Sequence, residues 1–496
     1  MFNGIKNFVK QAVFKMNVFF NGNDIDGNMS STTNVMRTNI ELWYDLYQGN
    51  APWLQHNRQS LGLPAAISSE IARLVTLEME ININATKMSA GQSKDGDKLT
   101  SSKAEFVDKM LKPFRSNIRN YCEYACASGG VMFKPYFNGE GISIECVQAV
   151  DFQPITFDAK GVITACRFAE HKVVGKYIYH RVEEHNLENQ RLTITNKCYR
   201  SSSTNERGVE VPLSQVPEWA EIEPQVTLEN VPRPLYEYFR IPIGNNIDPS
   251  SALGVSVFGR SIDLIEDADM QYQRYNWEFE GGELAIDASK DIFPNDKNGN
   301  PIIPRGKERL FRPNEYDIAE GSGENAIKTF SPELREVSIK SGLNTILQRI
   351  EFNCGLAYGT LSDPNVVDKT AEEIKTSKQR SYSLVSDIQK ALENAINGLI
   401  EAICVTADLY SDKIQESIQG DFETAYVWDD SIIIDSDTER TRDMNEVRQG
   451  LMLKYEYRMK WRGEDEETAK RRVAEQEQAS ATSNNPFGFS NTSKQE

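Results

Sequence analysis

"GLAYGTLSDPNVVDKTAEEIKTSKQRSYSLVSDIQKALENAI" runs from Gly355 to Ile396, and the way it divides decides the fold. A helical pattern stops just before it, and a much longer one starts within it. The loop between them, Gly355 to Lys369, contains Gly359 for flexibility and Pro364 for local stiffness. Thr370 with Glu373 three residues later forms a capping box, in which two side chains satisfy free N–H groups at a helix start. From there the helix can run to about Tyr410, roughly 60 Å at 1.5 Å per residue. Its second half has one apolar stripe through Val385, Ile388, Leu392, Ile396, Leu399 and Ile403. Its first half is mostly Glu, Lys, Ser, Thr and Gln. A helix so long and so polar at its start is expected to span between domains or line an assembly interface.

Upstream, two further helical patterns bracket a small insert. "SVFGRSIDLIEDADMQYQRYNWEFEGG" (Ser256–Gly282) carries Phe258, Ile262, Ile265, Tyr272, Tyr275 and Phe279, and Gly281–Gly282 end it. "SPELREVSIKSGLNTILQRIEFNCG" (Ser331–Gly355) carries Leu334, Val337, Leu343, Ile346, Leu347 and Ile350. The short path between them predicts an antiparallel pair. The insert, about 283–330, contains "FPNDKNGNPIIP", a turn between short strands, and "GSGEN", a flexible tip.

Residues 31–125 read as helical with loops. "LPAAISSEIARLVTLEMEININ" has a stripe at Ile67, Ile71, Leu74 and Leu77, and "AEFVDKMLKPFRSNIRNYCEYACASGG" is helical on both sides of Pro113. From Gly130 the apolar period shortens. "VMFKPYFNGEGISIECV" is a hairpin pattern around an Asn-Gly turn, and the β-rich stretch lasts to about residue 200. Residues 201–250 are Pro-rich loop with short strands. "ERTRDMNEVRQGLMLKYEYRMKWRG" and "DEETAKRRVAEQEQ" restore helix, and 479–496 is expected to be disordered, being poor in bulky apolar residues.

The totals exclude several function classes. The chain has 496 residues, a net charge of −18 and a pI near 4.9. Tight nucleic-acid binding uses clustered Lys and Arg to neutralise phosphates, which this balance opposes. A surface that DNA slides past is compatible with it, because acidic side chains repel phosphate. Seven cysteines without a CxxC pair fit a reducing compartment. The opening "MFNGIKNFVKQAVFKMNVFF" is broken by Lys6, Lys10 and Lys15, so residues 1–30 read as an amphipathic arm, and no membrane span or signal segment is expected.

No catalytic constellation emerges. "GVSVFGRS" (Gly254–Ser261) approaches a phosphate-binding loop, but Arg260 stands where the lysine belongs and no buried parallel strand precedes it. His171, His180 and His185 lack the paired spacing of a zinc site and read as structural. Cys122 and Cys126 read as one core face, and Asp263, Asp267 and Asp269 as a charged helix face. No cofactor, metal or enzymatic activity is expected, and the function reads as mechanical or architectural.

In this order the segments resemble the portal proteins of tailed bacteriophages. "GLAYGTLSDPNVVDKTAEEIKTSKQRSYSLV" is similar to the family's tunnel loop and long helix, with "TAEE" in place of the more usual T-A-T-E. "GVSVFGRSIDLIEDADMQYQRYNWEFEGGE" resembles its first stem helix, with Asp269, Tyr272 and Glu278 at matching places. "YIYHRVEEHNLENQRLTITNKCYRS" resembles its β-rich wing, and "DDSIIIDSDTERTRDMNEVRQGLMLKYEYRMK" the approach to its crown. The nearest subgroup is that of long-tailed phages and prophages of Gram-positive hosts. Each piece is degenerate alone, and their shared order from about residue 30 to 478 is the specific signal.

The resemblance implies an α+β, mainly helical portal fold assembling as a ring, usually of twelve subunits, around a central channel at one capsid vertex. It places a wing at 31–253, stem helices at 254–282 and 331–354 and a clip at 283–330. The tunnel loop is 355–369, the long helix and wing return 370–434 and the crown 435–478. Leu361, Ser362, Asp363, Pro364, Asn365, Val366, Val367, Asp368 and Lys369 would face the channel. Arg335, Lys340 and Arg349 would line the stem, and Thr370 and Glu373 would cap the long helix. Double-stranded DNA would pass without sequence specificity. The terminase large subunit, major capsid and scaffolding proteins and a head-completion adaptor would be partners, in the virion and, during assembly, in the host cytoplasm. A packaging ATPase or metal-dependent nuclease, and a capsid or tail-tube subunit, are the competing readings.

Overall fold

The computed structural model describes residues 33–483, apart from 55–58, 78, 87–91, 96–97, 140, 204–205, 290–292, 295–296, 298–299, 303–309, 315–326, 364–370, 415–417 and 429–435. The arm at 1–30, most of the tail, Pro364–Thr370 and the side chain of Glu373 lie outside the described residues. The chain divides into two compact units, Met1–Val427 and Trp428–Glu496.

In the first unit, α1 (Asn34–Tyr47) starts on Thr33, whose side chain accepts from the Met36 N–H, and is followed by α2 (Leu63–Thr76). The segment "EININA" is not a continuation of α2. It is a strand, β1 (Glu80–Ala85), followed by the hairpin β2 (Gln92–Asp95) and β3 (Lys98–Ser101), where a helical reading had been expected. The reason is a partner far along the chain: β1 pairs antiparallel with β16 (Phe422–Val427). Its alternation Ile81, Ile83 satisfies a strand period once that partner exists.

Helix α3 (Ser102–Ser128) runs straight through Pro113 and stops at Gly129, at φ +89°. A Cβ on Gly129 would lie 2.5 Å from the Gly254 carbonyl oxygen, so both the conformation and the space require glycine. The β-rich region forms as expected. β4 (Gly130–Phe137) lies between β5 (Ile142–Gln148) and β12 (Glu237–Arg240). A second sheet is ordered β10 (Val209–Val211), β9 (Arg191–Ser201), β8 (Tyr177–Glu188), β7 (Ile163–Val174), β6 (Phe152–Phe157), with β11 (Gln225–Leu228) also on β9. Phe114 of α3 meets Phe133 of β4 edge-on at 4.9 Å, and Phe133 stacks on Phe239 of β12. These rings join helix and sheet into one apolar core.

Helix α4 (Ile262–Gly281) is preceded by a 3-10 turn at Gly259–Ser261, so helix starts later than the expected residue 254. The insert contains β13 (Ala285–Ser289), flanked by β14 (Phe311–Asn314), parallel, and β15 (Ile327–Phe330), antiparallel. Helix α5 (Glu336–Cys354) starts at 336, so Arg335 is its N-terminal cap position and not a helix-face residue. Helix α6 (Ala371–Leu409) is 39 residues long, about 58 Å. Every stripe residue from Val385 to Ile403 is at most 2% exposed.

The second unit holds α7 (Ser436–Gln449), α8 (Lys454–Arg462) and α9 (Glu466–Ser483), so helix enters the expected tail by five residues, 479–483. Asp443 is its polar centre. It accepts from Lys460 Nζ at 2.8 Å and Trp461 Nε1 at 3.0 Å, and these bonds lower its pKa.

Candidate functional site

Helices α4 and α5 form an antiparallel hairpin. At one end Cys354 Sγ of α5 lies 3.6 Å from Ser261 Oγ, just before α4. Further along, Gln271 Nε2 reaches the Ile339 carbonyl at 3.5 Å. At the other end Glu278 of α4 accepts from the Arg335 backbone N–H at 3.0 Å and from its guanidinium at 3.1 and 2.7 Å. The insert strands therefore leave one end of the hairpin, and the loop after Cys354 leaves the other. The 19 residues of α5 separate the two ends by about 28 Å.

Buried carboxylates fasten both helices. Asp269, 1% exposed, accepts from Trp53 Nε1 at 3.0 Å, Ser60 Oγ at 3.1 Å and the Leu61 N–H at 2.7 Å. It is a clamp on the segment before α2, not part of an exposed acidic face. The Arg335 bonds hold the Glu278 carboxyl down at about 2. Glu351, on α5, is fully buried, and its Oε1 accepts from the Leu361 N–H at 2.6 Å and the Ser362 N–H at 2.8 Å, while Oε2 accepts from Ser362 Oγ at 2.9 Å.

The loop itself starts as a helix stop. Gly355, at φ +72°, follows α5, and the Leu356 N–H bonds the Glu351 carbonyl at 2.9 Å. A turn closes from the Ala357 carbonyl to the Thr360 N–H at 3.2 Å, with Gly359 at φ +87°. Gly359 thus supplies a fixed left-handed conformation that the turn needs, where the sequence suggested flexibility. Next, the Asp363 N–H bonds Asn344 Oδ1 at 2.7 Å, Asn344 Nδ2 reaches the Asp363 carbonyl at 3.5 Å, and the Asp363 carboxylate pairs with Lys340 Nζ at 3.4 Å.

The sequence-derived site residues fall into three groups. Leu361, Ser362 and Asp363 come together on α5. Ser362 is buried against Glu351, so its side chain does not face outward as expected. Arg335 and Lys340 are exposed cations already paired, with Glu278 and Asp363. Arg349 is exposed, with no ion pair to a described residue. Pro364 to Lys369, with Thr370 and the Glu373 side chain, lie outside the described residues. Sequence reasoning missed Asn344 and Glu351, whose polar side chains interrupt the apolar face of α5.

The other candidate centres are structural. His171 and His180 bond to each other through Nδ1 at 2.8 Å, and His180 Nε2 meets Ser201 Oγ at 3.0 Å. Burial lowers His171 to about 4, and burial beside His171 lowers His180 to about 3, so both are neutral near pH 7. Burial pushes the Cys354 thiol up to about 12. Among the described residues no cluster of three or more His, Cys, Asp or Glu could hold a metal ion, and no helix is long and apolar enough to cross a membrane.

Comparison with known proteins completes the picture. No curated protein matches the chain. A chain in the virion of a native gene transfer agent particle is similar at 8% identity and TM-score 0.43, covering 91% of this chain and 98% of its own. A chain in the neck of a native gene transfer agent particle computed with C12 symmetry gives 10% identity and TM-score 0.38, with the same coverages. Residues 32–482, which include the sheets, the α4–α5 hairpin, the loop and α6, match the family described as "Phage portal protein, SPP1 Gp6-like". The chain belongs to that family and is a phage portal protein.

Proposed function

We propose that the chain assembles into a closed ring of twelve copies at one capsid vertex and forms the channel through which double-stranded DNA enters and leaves the head. The observation that carries this reading is the hairpin geometry within a portal-family chain: a strand-bearing insert at one end and a root-fixed loop at the other. In this reading α4 and α5 form the stem, the insert around β13 the clip, and the loop after Cys354 reaches the channel. The wing and α6 form the periphery, and the helices of the second unit form the crown. The clip would dock the terminase large subunit and later a head-completion adaptor, and the outer surface would meet capsid and scaffolding proteins.

The electrostatics support sliding over gripping. Lys340 and Arg335 are engaged by carboxylates, and the net charge is −18. Phosphate attraction is therefore local and weak, and it is screened beyond about 8–10 Å in physiological salt.

The test is electron microscopy of the purified chain, with its mass measured in solution. Closed rings with an open axis and no nucleotide hydrolysis are expected. A stable monomer with no ring under assembly conditions, or tight sequence-dependent binding to short duplexes, would overturn the reading. Shortening the loop should leave rings intact and abolish packaging or retention of nuclease-protected DNA. The deletion is best made at Asn365–Val367, because Asp363 belongs to the fixed root. Normal DNA-filled heads from that variant would sink the assignment of the loop.

A further inference from the structure

We propose that Glu351 is the positioning residue of the channel loop, and that Leu361, Ser362 and Asp363 move as one rigid body with α5. The proposal deepens the portal reading and rests on it for its functional meaning. Its structural content stands on the side chains alone.

A carboxylate buried at the end of an amphipathic helix is costly unless its oxygens are bonded. Glu351 is fully buried, and all three described bonds of its carboxylate go to two consecutive loop residues. An apolar residue there could fill the space, but it could not fix the direction in which the loop leaves. Two successive N–H groups aimed at one oxygen fix it, because backbone donors are directional and expensive to leave unpaired when buried. Asn344 repeats the arrangement one residue on, receiving the Asp363 N–H and reaching its carbonyl. Lys340 adds a third tie to the Asp363 carboxylate. Positions 340, 344 and 351 are four and seven residues apart, which places them on one face of α5.

The start of the loop is seated as well. Leu356 is 1% exposed, and a Cβ on Gly355 would come within 2.8 Å of Leu384 Cδ2 on α6. Arg380 of α6 lies over the Phe352 ring at 4.2 Å. The loop root is thus bound to α5 along a line of polar contacts, and α6 packs against the end of α5 where the loop begins. A displacement of α5 carries residues 361–363 with it.

The test compares wild type, Glu351→Ala and Glu351→Gln as full-length chains, using amide hydrogen exchange and microscopy. The glutamine amide oxygen can still accept both N–H groups, and its NH₂ can donate to Ser362 Oγ. Exchange at Leu361, Ser362 and Asp363 should be at least about tenfold faster in Glu351→Ala and within about threefold of wild type in Glu351→Gln, with α5 amides unchanged in both. DNA retention should be lost in the alanine variant and kept in the glutamine variant while both form rings. If Glu351→Ala does not fold, Ser362→Ala and Asn344→Ala should each raise exchange only at 361–363. Wild-type protection in Glu351→Ala, or a glutamine variant as fast as the alanine one, would overturn the proposal. Absence of rings from the wild-type chain would instead overturn the ring-channel reading and leave the exchange comparison to decide this one.

Discussion

The long helix α6 and the hairpin α4–α5 both carry apolar stripes in the sequence, and they use them differently. From Val385 to Ile403 the α6 stripe is sealed inside the first unit, with Ile388, Leu392, Ile396, Leu399 and Ile403 at 0% exposure. On α4 only Ile265 and Ala268 are buried apolar residues, while Trp277 is 65% exposed and Phe279 37%. What fastens the hairpin is polar: Asp269, Glu278, Asn344 and Glu351, each buried and bonded across to another segment. Apolar packing is non-directional and gives the core around α6 its bulk stability. Bonded carboxylates are directional and give a thin two-helix element a defined shape without a core of its own.

Substitutions can break or sharpen that contrast. The largest effect is expected in α6, where Leu392→Ala leaves a cavity in a fully packed site and should cost about 2–5 kcal/mol, measured by denaturant unfolding of the first unit. In the hairpin, Asp269→Ala strands three donors, including the Leu61 N–H, and should cost about 2 kcal/mol with faster proteolysis before α2. A cost as large as that of Leu392→Ala would erase the distinction between the two regions. Glu278 gives a smaller, pH-dependent effect. Its carboxyl is held at about 2 against an ordinary 4.5, so its contribution is present above 4.5 and is lost as pH falls through 2. Glu278→Gln should therefore flatten the acid limb of stability between about pH 4.5 and 2, and an unchanged limb would show that the pair does not hold in solution. The smallest effect on the fold is expected from Trp277→Ser, within about 0.5 kcal/mol because the ring is exposed in the chain. The same variant should weaken ring assembly, if neighbouring copies cover that face.

The same contrast explains what could be seen in the sequence. The α6 stripe, the stop at Gly129 and the alternating strands after it are local patterns, and the structure follows them. β1 was not legible as a strand, because what makes "EININA" a strand is β16, far along the chain. The carboxylate clamps were invisible for a related reason. Asp269 resembles any exposed acidic residue on an amphipathic helix until the Trp53–Leu61 segment is seen to lie on it. Arg335 and Lys340 suggest phosphate contacts by type, and their partners Glu278 and Asp363 are set by tertiary docking. Helical spacing reports which residues share a face, and it does not report what that face meets.

The pairing of β1 with β16 also bears on synthesis. Ala85 pairs with Phe422 and Glu80 with Val427, so β1 leaves the ribosome about 340 residues before its partner. At roughly 5–20 residues per second, that is an interval of about 17–70 s in which the strand edge is open. The β1–β16 pair therefore cannot form on a chain that stops before Phe422. A product truncated or stalled before β16 lacks the partner strand and exposes an unpaired edge, a handle for proteolysis and holding factors. If rings form only from chains in which β1 and β16 have paired, synthesis of each copy through Val427 is checked before assembly, by topology alone.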